Sequence, residues 1–303
     1  MQKYLSRLAI LGLFLVPVLS AAPAQAQATR TWVSGVGDDA NPCSRTAPCK
    51  TFAGAISKTA TGGKINCLDP GGFGAVTITK SIEIDCFAFP GGILNAATNG
   101  VIVNGAGAKV VLRGIEIHGA GTGINGVRIL NAAEVTLDKC FIIAQTGSGI
   151  IVTATNVVIN LIVLDTNITQ VAKGISMTAS GASGAALAVM RNSSIYRTTT
   201  SGFELGSNLT FATISASVIT GVTGSAVLVT GGNGQINVLD SVISFSGTGL
   251  NAAANGAVIR MSDNNIFTNT TSTAFVAGAT LATAANNKLN PIGAVPNGTI
   301  NVQ

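Results

Sequence analysis

The chain has 303 residues, of which only 10% are charged, and its formal net charge at pH 7 is +5. Typical globular proteins carry about 25% charged residues, so this surface is built mainly from Thr, Ser, Asn and Gly. The basic residues are scattered and aromatic residues make up 5% of the chain. This composition argues against nucleic acid as a partner and against a polybasic membrane patch.

The first 26 residues are predicted to be a secretory signal peptide. Lys3 and Arg7 precede an apolar run over residues 8–18, and the Ala-Gln-Ala of residues 24–26 matches the small-x-small cleavage pattern. The run is shorter than the roughly 20 residues that a membrane span needs. We therefore expect cleavage near Ala26, no transmembrane segment, and a bacterial protein that is secreted, periplasmic or held at the cell surface.

Residues 27–63 are predicted to form an N-terminal strand, a disulfide loop and a capping helix. The strand covers residues 31–33, and Cys43 and Cys49 are spaced to close a local loop. Thr51 is a suitable helix N-cap residue. The helix that follows has apolar residues at i, i+3 and i+4 on one face, namely Phe52, Ala55 and Ile56. The helix is expected to end at Gly62 and Gly63.

A repeat of 23–27 residues runs through the chain from residue 109. The first repeat position is apolar in seven consecutive units, namely Leu112, Leu137, Val163, Met190, Ile214, Val238 and Met261. Five residues later every unit has isoleucine, at Ile117, Ile142, Ile168, Ile195, Ile219, Ile243 and Ile266. A third apolar position follows a turn of small residues, at Ile124, Ile150, Ile175, Phe203, Ala226, Leu250 and Phe275.

This period predicts an all-β solenoid. About 24 residues suit one coil of three short strands and three turns, and stacked coils bury their apolar faces against each other. Left-handed β-helices use hexapeptides and propeller blades use longer units, so we predict a single-stranded, right-handed parallel β-helix of about nine to ten coils. The coils cover residues 64–290. Residues 291–303, which contain Pro291 and Pro296, form a closing segment.

The N-terminal residues also resemble a known family. The segments TWVSGVGDDANP (31–42), PCKTFAGAI (48–56) and GGKINCLDPGGF (62–73) resemble the N-terminal signature of pectin-lyase-like right-handed β-helix proteins, over about residues 31–90. The resemblance is greatest to secreted bacterial members of undefined activity, in which two cysteine pairs also occur. In that pattern Asp38, Asp39 and Asn41 are turn residues.

Five cysteines are present, and we expect two disulfides. The resemblance and the short loop pair Cys43 with Cys49. INC and IDC occupy matching strand positions one coil apart, which brings Cys67 and Cys86 within disulfide range. Cys140 is left over and is predicted to be a buried, apolar-like residue.

Candidate catalytic residues are few. Asp240 and Asp263 occupy the same repeat position in adjacent coils, with Arg260 nearby, so the two carboxylates could share a proton or a cation. The alternative is a turn ladder in which Asp and Asn side chains satisfy backbone N–H groups. His118 is the sole histidine and is expected at the surface, with Glu116 two residues before it in the sequence.

No cofactor is expected, and calcium would be a cofactor only if the protein were a lyase. GGFG at residue 71 and GGNG at residue 231 are typical of calcium-binding rolls, but Val76 and Ile236 stand where aspartate should follow. The resemblance implies a superfamily of polysaccharide lyases, glycoside hydrolases and epimerases. The residues favour a non-enzymatic scaffold that contacts a polysaccharide or another surface polymer. The alternatives are a polysaccharide lyase or hydrolase and, third, an oligomeric adhesin-like subunit.

Overall fold

A computed structural model describes residues 27–291 and 293–300 as a parallel β-solenoid of about nine turns. The predicted signal peptide lies outside the described residues. The strands form a 12-stranded sheet and a 17-stranded sheet. Along the larger sheet the strand register separates into two ladders, so each coil has three sides. We call the 12-stranded sheet face A, the ladder through Ile117 and Ile142 face B, and the ladder through Val127 and Ile150 face C.

From Thr59–Cys67 to Thr271–Phe275, every coil visits face A, then face B, then face C. The strands of face A are Ala28–Val33, Thr59–Cys67, Ile82–Asp85, Lys109–Arg113, Glu134–Asp138, Val158–Leu164, Ala185–Arg191, Thr210–Ser215, Gln235–Leu239, Val258–Ser262, Thr280–Thr283 and Gly298–Thr299. The strands of face B alone are Gly71–Gly72, Gly91–Leu94, Ile115–Gly123, Phe141–Gln145, Val218–Thr220, Val242–Ser244, Asn265–Phe267 and Lys288–Asn290. The strands of face C alone are Val76–Ile78, Val101–Asn104, Val127–Asn131, Ser148–Thr155, Ser225–Val229, Thr248–Ala252 and Thr271–Phe275. Two long strands bend from face B into face C, Asn167–Ser180 and Ser194–Leu205.

The first two repeat positions form the predicted ladders inside the solenoid. The face A ladder pairs Leu112 with Leu137 and continues in register to Met261. The isoleucine ladder on face B is likewise continuous from Ile117 to Ile266. All of these side chains are at most 1% exposed. Because each coil contributes one apolar side chain per ladder, the core is a continuous column along the axis.

The third ladder differs from the prediction in three coils. On face C, Val127, Val227 and Thr273 pair with the ladder positions where Ile124, Ala226 and Phe275 were expected. Ile124 is instead 47% exposed in the turn before the strand. The turn between faces B and C varies in length, and a shift of one residue moves a side chain to the opposite side of the sheet. Repeat spacing alone therefore did not define this register.

The predicted helix spans Phe52–Lys58, with Thr51 as its N-cap residue. Phe52 packs against Phe73 with ring centroids 5.2 Å apart. Gly62 does not end the helix as predicted, because Thr59 already adopts an extended conformation and its hydroxyl donates to the Ala55 carbonyl at 2.7 Å.

Both predicted disulfides are present near this end. Cys43–Cys49 has a Cα separation of 4.6 Å and Cys67–Cys86 one of 4.8 Å. The second bridge joins consecutive coils on face A, since Asn66 pairs with Asp85 in parallel register. The proposed boundaries at residues 63 and 290 stay predictions.

Asp39 organises the loop before the helix. Its Oδ1 accepts the N–H groups of Lys50 and Thr51 at 2.9 Å, and its Oδ2 accepts the Thr51 hydroxyl at 2.6 Å. Burial alone would raise the pKa of Asp39, but these hydrogen bonds outweigh it and hold the pKa below its ordinary value. A Cβ on Gly54 would lie 2.2 Å from the Asp39 Oδ1, so glycine leaves room for the carboxylate.

The other polar residues of this loop also stabilise turns. Asp38 accepts the Ala40 N–H at 2.9 Å, and the Asn41 side-chain amide donates to the Pro48 carbonyl at 2.9 Å. The loop thus has the structural role that the resemblance implied.

Within the described ranges, no helix is long and apolar enough to cross a bilayer.

Replacing one ladder isoleucine should test the axial core. Ile219→Ala removes a fully buried side chain, and we expect it to lower the free energy of unfolding by about 3 kcal/mol. Val218→Ala, at the neighbouring outward position that is 39% exposed, should cost less than about 1 kcal/mol. Denaturant unfolding of both variants measures the difference. Equal losses would contradict the ladder assignment.

The Asp39 network should make the stability pH-dependent. The folded pKa of Asp39 lies below the unfolded value of about 3.9, so its stabilisation is complete above that value and is lost as the pH falls through the folded pKa. Asp39→Asn loses the acceptor for the Thr51 hydroxyl and should remove this part of the acid dependence. Asp38→Asn, which keeps its single accepted bond, is the control. Unfolding midpoints from about pH 3 to pH 7 measure the effect; identical profiles for the two variants would refute it.

Candidate functional site

The predicted acidic pair lies on the turns from face A to face B. The residues at this turn position have left-handed backbones, with φ from +47° to +56° at Lys139, Asp165, Asn192, Ala216, Asp240 and Asp263. Asn and Asp tolerate this conformation better than most residues. The Asp240 N–H donates to the Ser262 carbonyl at 3.1 Å, which places Asp240 and Asp263 on adjacent turns. Both side chains are exposed.

Arg260 does not join this pair in an ion pair. It points outward from face A, and its Nη1 donates to the Gln235 Oε1 at 3.1 Å. In the described part of the chain, its guanidinium forms no ion pair with Asp240 or Asp263. A catalytic role for these three residues stays a prediction.

The residue after each turn forms a second ladder that sequence reasoning missed. The Ser193 N–H donates to the Ser217 hydroxyl at 3.2 Å, and the Ser241 N–H donates to the Asn264 Oδ1 at 3.0 Å. The members of this polar ladder are Thr166, Ser193, Ser217, Ser241, Asn264 and Asn287. Side chains therefore satisfy backbone N–H groups mainly one residue later than the aspartates, whereas the Asp240 and Asp263 carboxylates accept no backbone N–H from the described residues.

Cys140 is the first donor to the polar ladder. Its N–H donates to the Thr166 hydroxyl at 3.2 Å, and its thiol donates to the Leu112 carbonyl at 3.4 Å. The thiol is free and buried, and burial raises its pKa to about 11. Cys140 occupies a structural position of the repeat, so the prediction of a buried residue is confirmed.

The outer side of face A carries a groove of about 390 Å³ that sequence reasoning missed. Its middle is apolar, and its two ends carry amides and one charge each. The outward side chains that line this face A groove are Glu134, Asn160, Ile162, Leu187, Val189, Phe211, Thr213, Gln235, Asn237 and Arg260. Leu187 and Val189 are 38% and 44% exposed. A surface with an apolar stripe between hydrogen-bonding amides suits a ligand that has both C–H faces and hydroxyl groups.

The groove extends along the solenoid axis. Its residues come from six consecutive strands, from Glu134–Asp138 to Val258–Ser262. Strands about 4.8 Å apart make this length about 24 Å. In the sequence, the outward apolar residues of the face A groove resemble core residues. The alternation of inward and outward residues on face A is the one sequence signal that indicates the groove.

A charged network covers the outer side of face A before the groove. Lys64 pairs with Asp85 at 2.6 Å and with Glu83 at 2.9 Å, and Arg113 pairs with Asp138 at 2.8 Å. Burial alone would lower the pKa of Lys64, but its bonds to Asp85 and Glu83 outweigh burial and raise it. Burial alone would raise the pKa of Asp85, but the hydrogen bonds from Lys64 and the Phe87 N–H, with the charges of Lys64 and Arg113, together lower it. Both cations of this network therefore have carboxylate partners.

One buried carboxylate lies on face C. Glu204 accepts a hydrogen bond from the Ser201 hydroxyl at 2.7 Å and pairs with Lys173 at 2.7 Å. Its side chain is 10% exposed, and both carboxylate oxygens have partners, so the group is electrostatically satisfied.

Among the described residues, no group of three or more His, Cys, Asp or Glu side chains is placed to hold a metal ion.

The structure is thus a β-solenoid with a groove on the outer side of face A. Comparison with known families then assigns the chain to one of them. The chain belongs to the family described as "Right handed beta helix region", whose model matches residues 92–243. The predicted right-handed parallel β-helix is thus confirmed.

Solved structures are similar to the chain over most of its length. A pectate lyase, Pel9A, is 14% identical over 88% of this chain and 78% of its own, with a TM-score of 0.64. The A-module of mannuronan C-5 epimerase AlgE6 from Azotobacter vinelandii is 12% identical over 78% of this chain and 88% of its own, with a TM-score of 0.42. The Dettilon tailspike protein is 14% identical over 87% of this chain and 68% of its own, with a TM-score of 0.49. No curated protein sequence matches the chain.

The buried thiol should be unreactive in the native protein. Because burial raises the pKa of Cys140 to about 11 and thiolates are the reactive species, Ellman's reagent should detect no thiol under native conditions. It should detect one thiol per chain in denaturant, since the other four cysteines are in disulfides. A rapidly titrating native thiol would contradict this placement.

Proposed function

We propose that this protein is an exported β-helix protein that binds a polysaccharide along the face A groove without turning it over. The observation that carries the proposal is the groove itself, an apolar stripe of Ile162, Leu187, Val189 and Phe211 between polar ends. Sugar rings have apolar C–H faces that pack on such side chains, while their hydroxyls bond to amides such as Asn160 and Asn237. The shared fold with a pectate lyase supports a polymer of the same broad class.

The distribution of carboxylates supports binding over catalysis. Glycoside hydrolysis ordinarily uses two carboxyl groups that flank one bond. Among the residues that line the face A groove, only Glu134 is acidic, and Arg260 lies at the opposite end. Export is supported by the signal-peptide pattern and by the two disulfides, which persist in oxidising compartments.

Polysaccharide lyase or hydrolase activity is the second candidate, supported by the adjacent placement of Asp240 and Asp263. These carboxylates lie on turns at the edge of face A, outside the groove lining. In this alternative, calcium would be a ligand of the site only if the enzyme were a lyase. An adhesin-like oligomer is the third candidate and would appear as a larger particle by light scattering.

Replacing the groove aromatic should weaken polysaccharide binding. We expect Phe211→Ala to reduce affinity at least tenfold, or about 1.4 kcal/mol, because it removes the aromatic platform of the groove. Phe267→Ala is the matched control, since Phe267 is an outward phenylalanine on face B. Affinity electrophoresis in gels containing neutral glucans, mannans, xylans or polyuronates measures both variants.

The same polymers test the enzymatic alternative. Incubation with and without calcium should release no reducing ends and no unsaturated products. Turnover that Asp240→Asn abolishes would replace the binding proposal with the enzymatic one. Equal binding by the Phe211→Ala and Phe267→Ala variants would show that the face A groove is not the binding surface.

A further inference from the structure

A second groove lies on the outer side of face B, at the first coils. It has a volume of about 350 Å³, and its floor and walls include Gly72, Gly92, Leu94, Glu116 and His118. We call it the face B groove. The parallel register assembles it, because Gly72 pairs with Gly92, Gly92 with Glu116, and Leu94 with His118. The sole histidine and the glycine pairs at residues 71–72 and 91–92, which are distant in the sequence, thus meet at one site.

Two of the glycines are not required by the fold. A Cβ on Gly72 would meet no atom within 4 Å, and the nearest atom to a Cβ on Gly92 would be 3.6 Å away. Neither residue has a positive φ. Their neighbour Gly91 differs, because its Cβ would lie 2.5 Å from the Cys86 sulfur. Glycine inside a strand costs backbone entropy and often marks a close approach by a ligand. Because Gly72 and Gly92 have no side chains, the floor of the face B groove is formed by backbone atoms alone at these positions.

The wall of the groove presents one acceptor and one donor. Glu116 and His118 are two residues apart in one strand. Their side chains therefore lie on the same, outward side of the strand, about 7 Å apart. The Ala120 N–H donates to the His118 Nδ1 at 2.9 Å. An accepting Nδ1 carries no proton, so the proton lies on Nε2 and that atom is the donor. Glu116 is exposed and, within the described part of the chain, forms no ion pair.

We propose that the face B groove binds a neutral saccharide ring. The C–H face of the ring lies on Gly72 and Gly92 beside Leu94, a hydroxyl donates to Glu116, and another accepts from the His118 Nε2–H. A uronate is disfavoured, because Glu116 repels its carboxylate and none of the described residues that line the groove is Lys or Arg. This site is independent of the face A groove.

The sole histidine makes binding directly observable by NMR. In untagged protein, the imidazole carbon-bound protons belong to His118 alone. Titration with short neutral oligosaccharides of glucose, mannose, xylose and galactose should shift this signal saturably for at least one sugar. Oligogalacturonate should give a smaller shift. No shift with any neutral sugar at millimolar concentration, or a larger shift with the uronate, would overturn the proposal.

Gly92→Val should fill the floor and weaken binding at least tenfold, without lowering the unfolding midpoint, because a Cβ at this position makes only ordinary van der Waals contacts. Ala274→Val, which adds a valine to the outer side of face C, is the control and should bind as the parent does.

Glu116→Ala should also weaken binding at least tenfold, and it tests the proposal if Gly92→Val does not fold. Equal binding by the valine variants, or by Glu116→Ala and the parent, would overturn the site. Phe211→Ala should leave the His118 shift intact, so failure at either groove is separable from the other.

Discussion

The structure depends on the in-register stacking of equivalent residues in consecutive coils. Each ladder places similar side chains about 4.8 Å apart along the axis, and the isoleucine ladder from Ile117 to Ile266 is the most regular example. A coil cannot bury its apolar side alone, so each one is stabilised by the coils on either side of it. Stability is therefore distributed along the solenoid, and the terminal coils need separate protection.

The turns obey the same constraint with polar groups. At five successive bends from face A to face B, from Asp165 to Asp263, one residue adopts a left-handed backbone, and the next residue's side chain accepts a backbone N–H from the preceding coil. The apolar ladders drive collapse, whereas the polar ladder satisfies donors that the bend removes from the sheet. Asp240 and Asp263 stand at the strained position of this turn, which gives them a structural reason to be there.

The interior and turn residues have structural roles, which leaves the outer faces of the solenoid as the surfaces for ligand binding. Face A changes along the axis from a network of ion pairs around Lys64 to an apolar groove around Phe211. Face B begins with a bare glycine floor next to Glu116 and His118. A flat sheet holds such side chains at fixed spacing without ordering a loop, which lowers the entropic cost of binding an extended polymer.

The sequence by itself determined the class of fold, the first two ladders, the helix start at Thr51 and both disulfides. These features depend on the repeat spacing and on short-range cap and loop chemistry. The third ladder was misplaced at Ile124, Ala226 and Phe275, because turn lengths that vary between coils set the register of face C. Both grooves were decided only by the tertiary structure. Their residues are separated by a whole coil in the sequence, and parallel pairing alone brings them onto one surface.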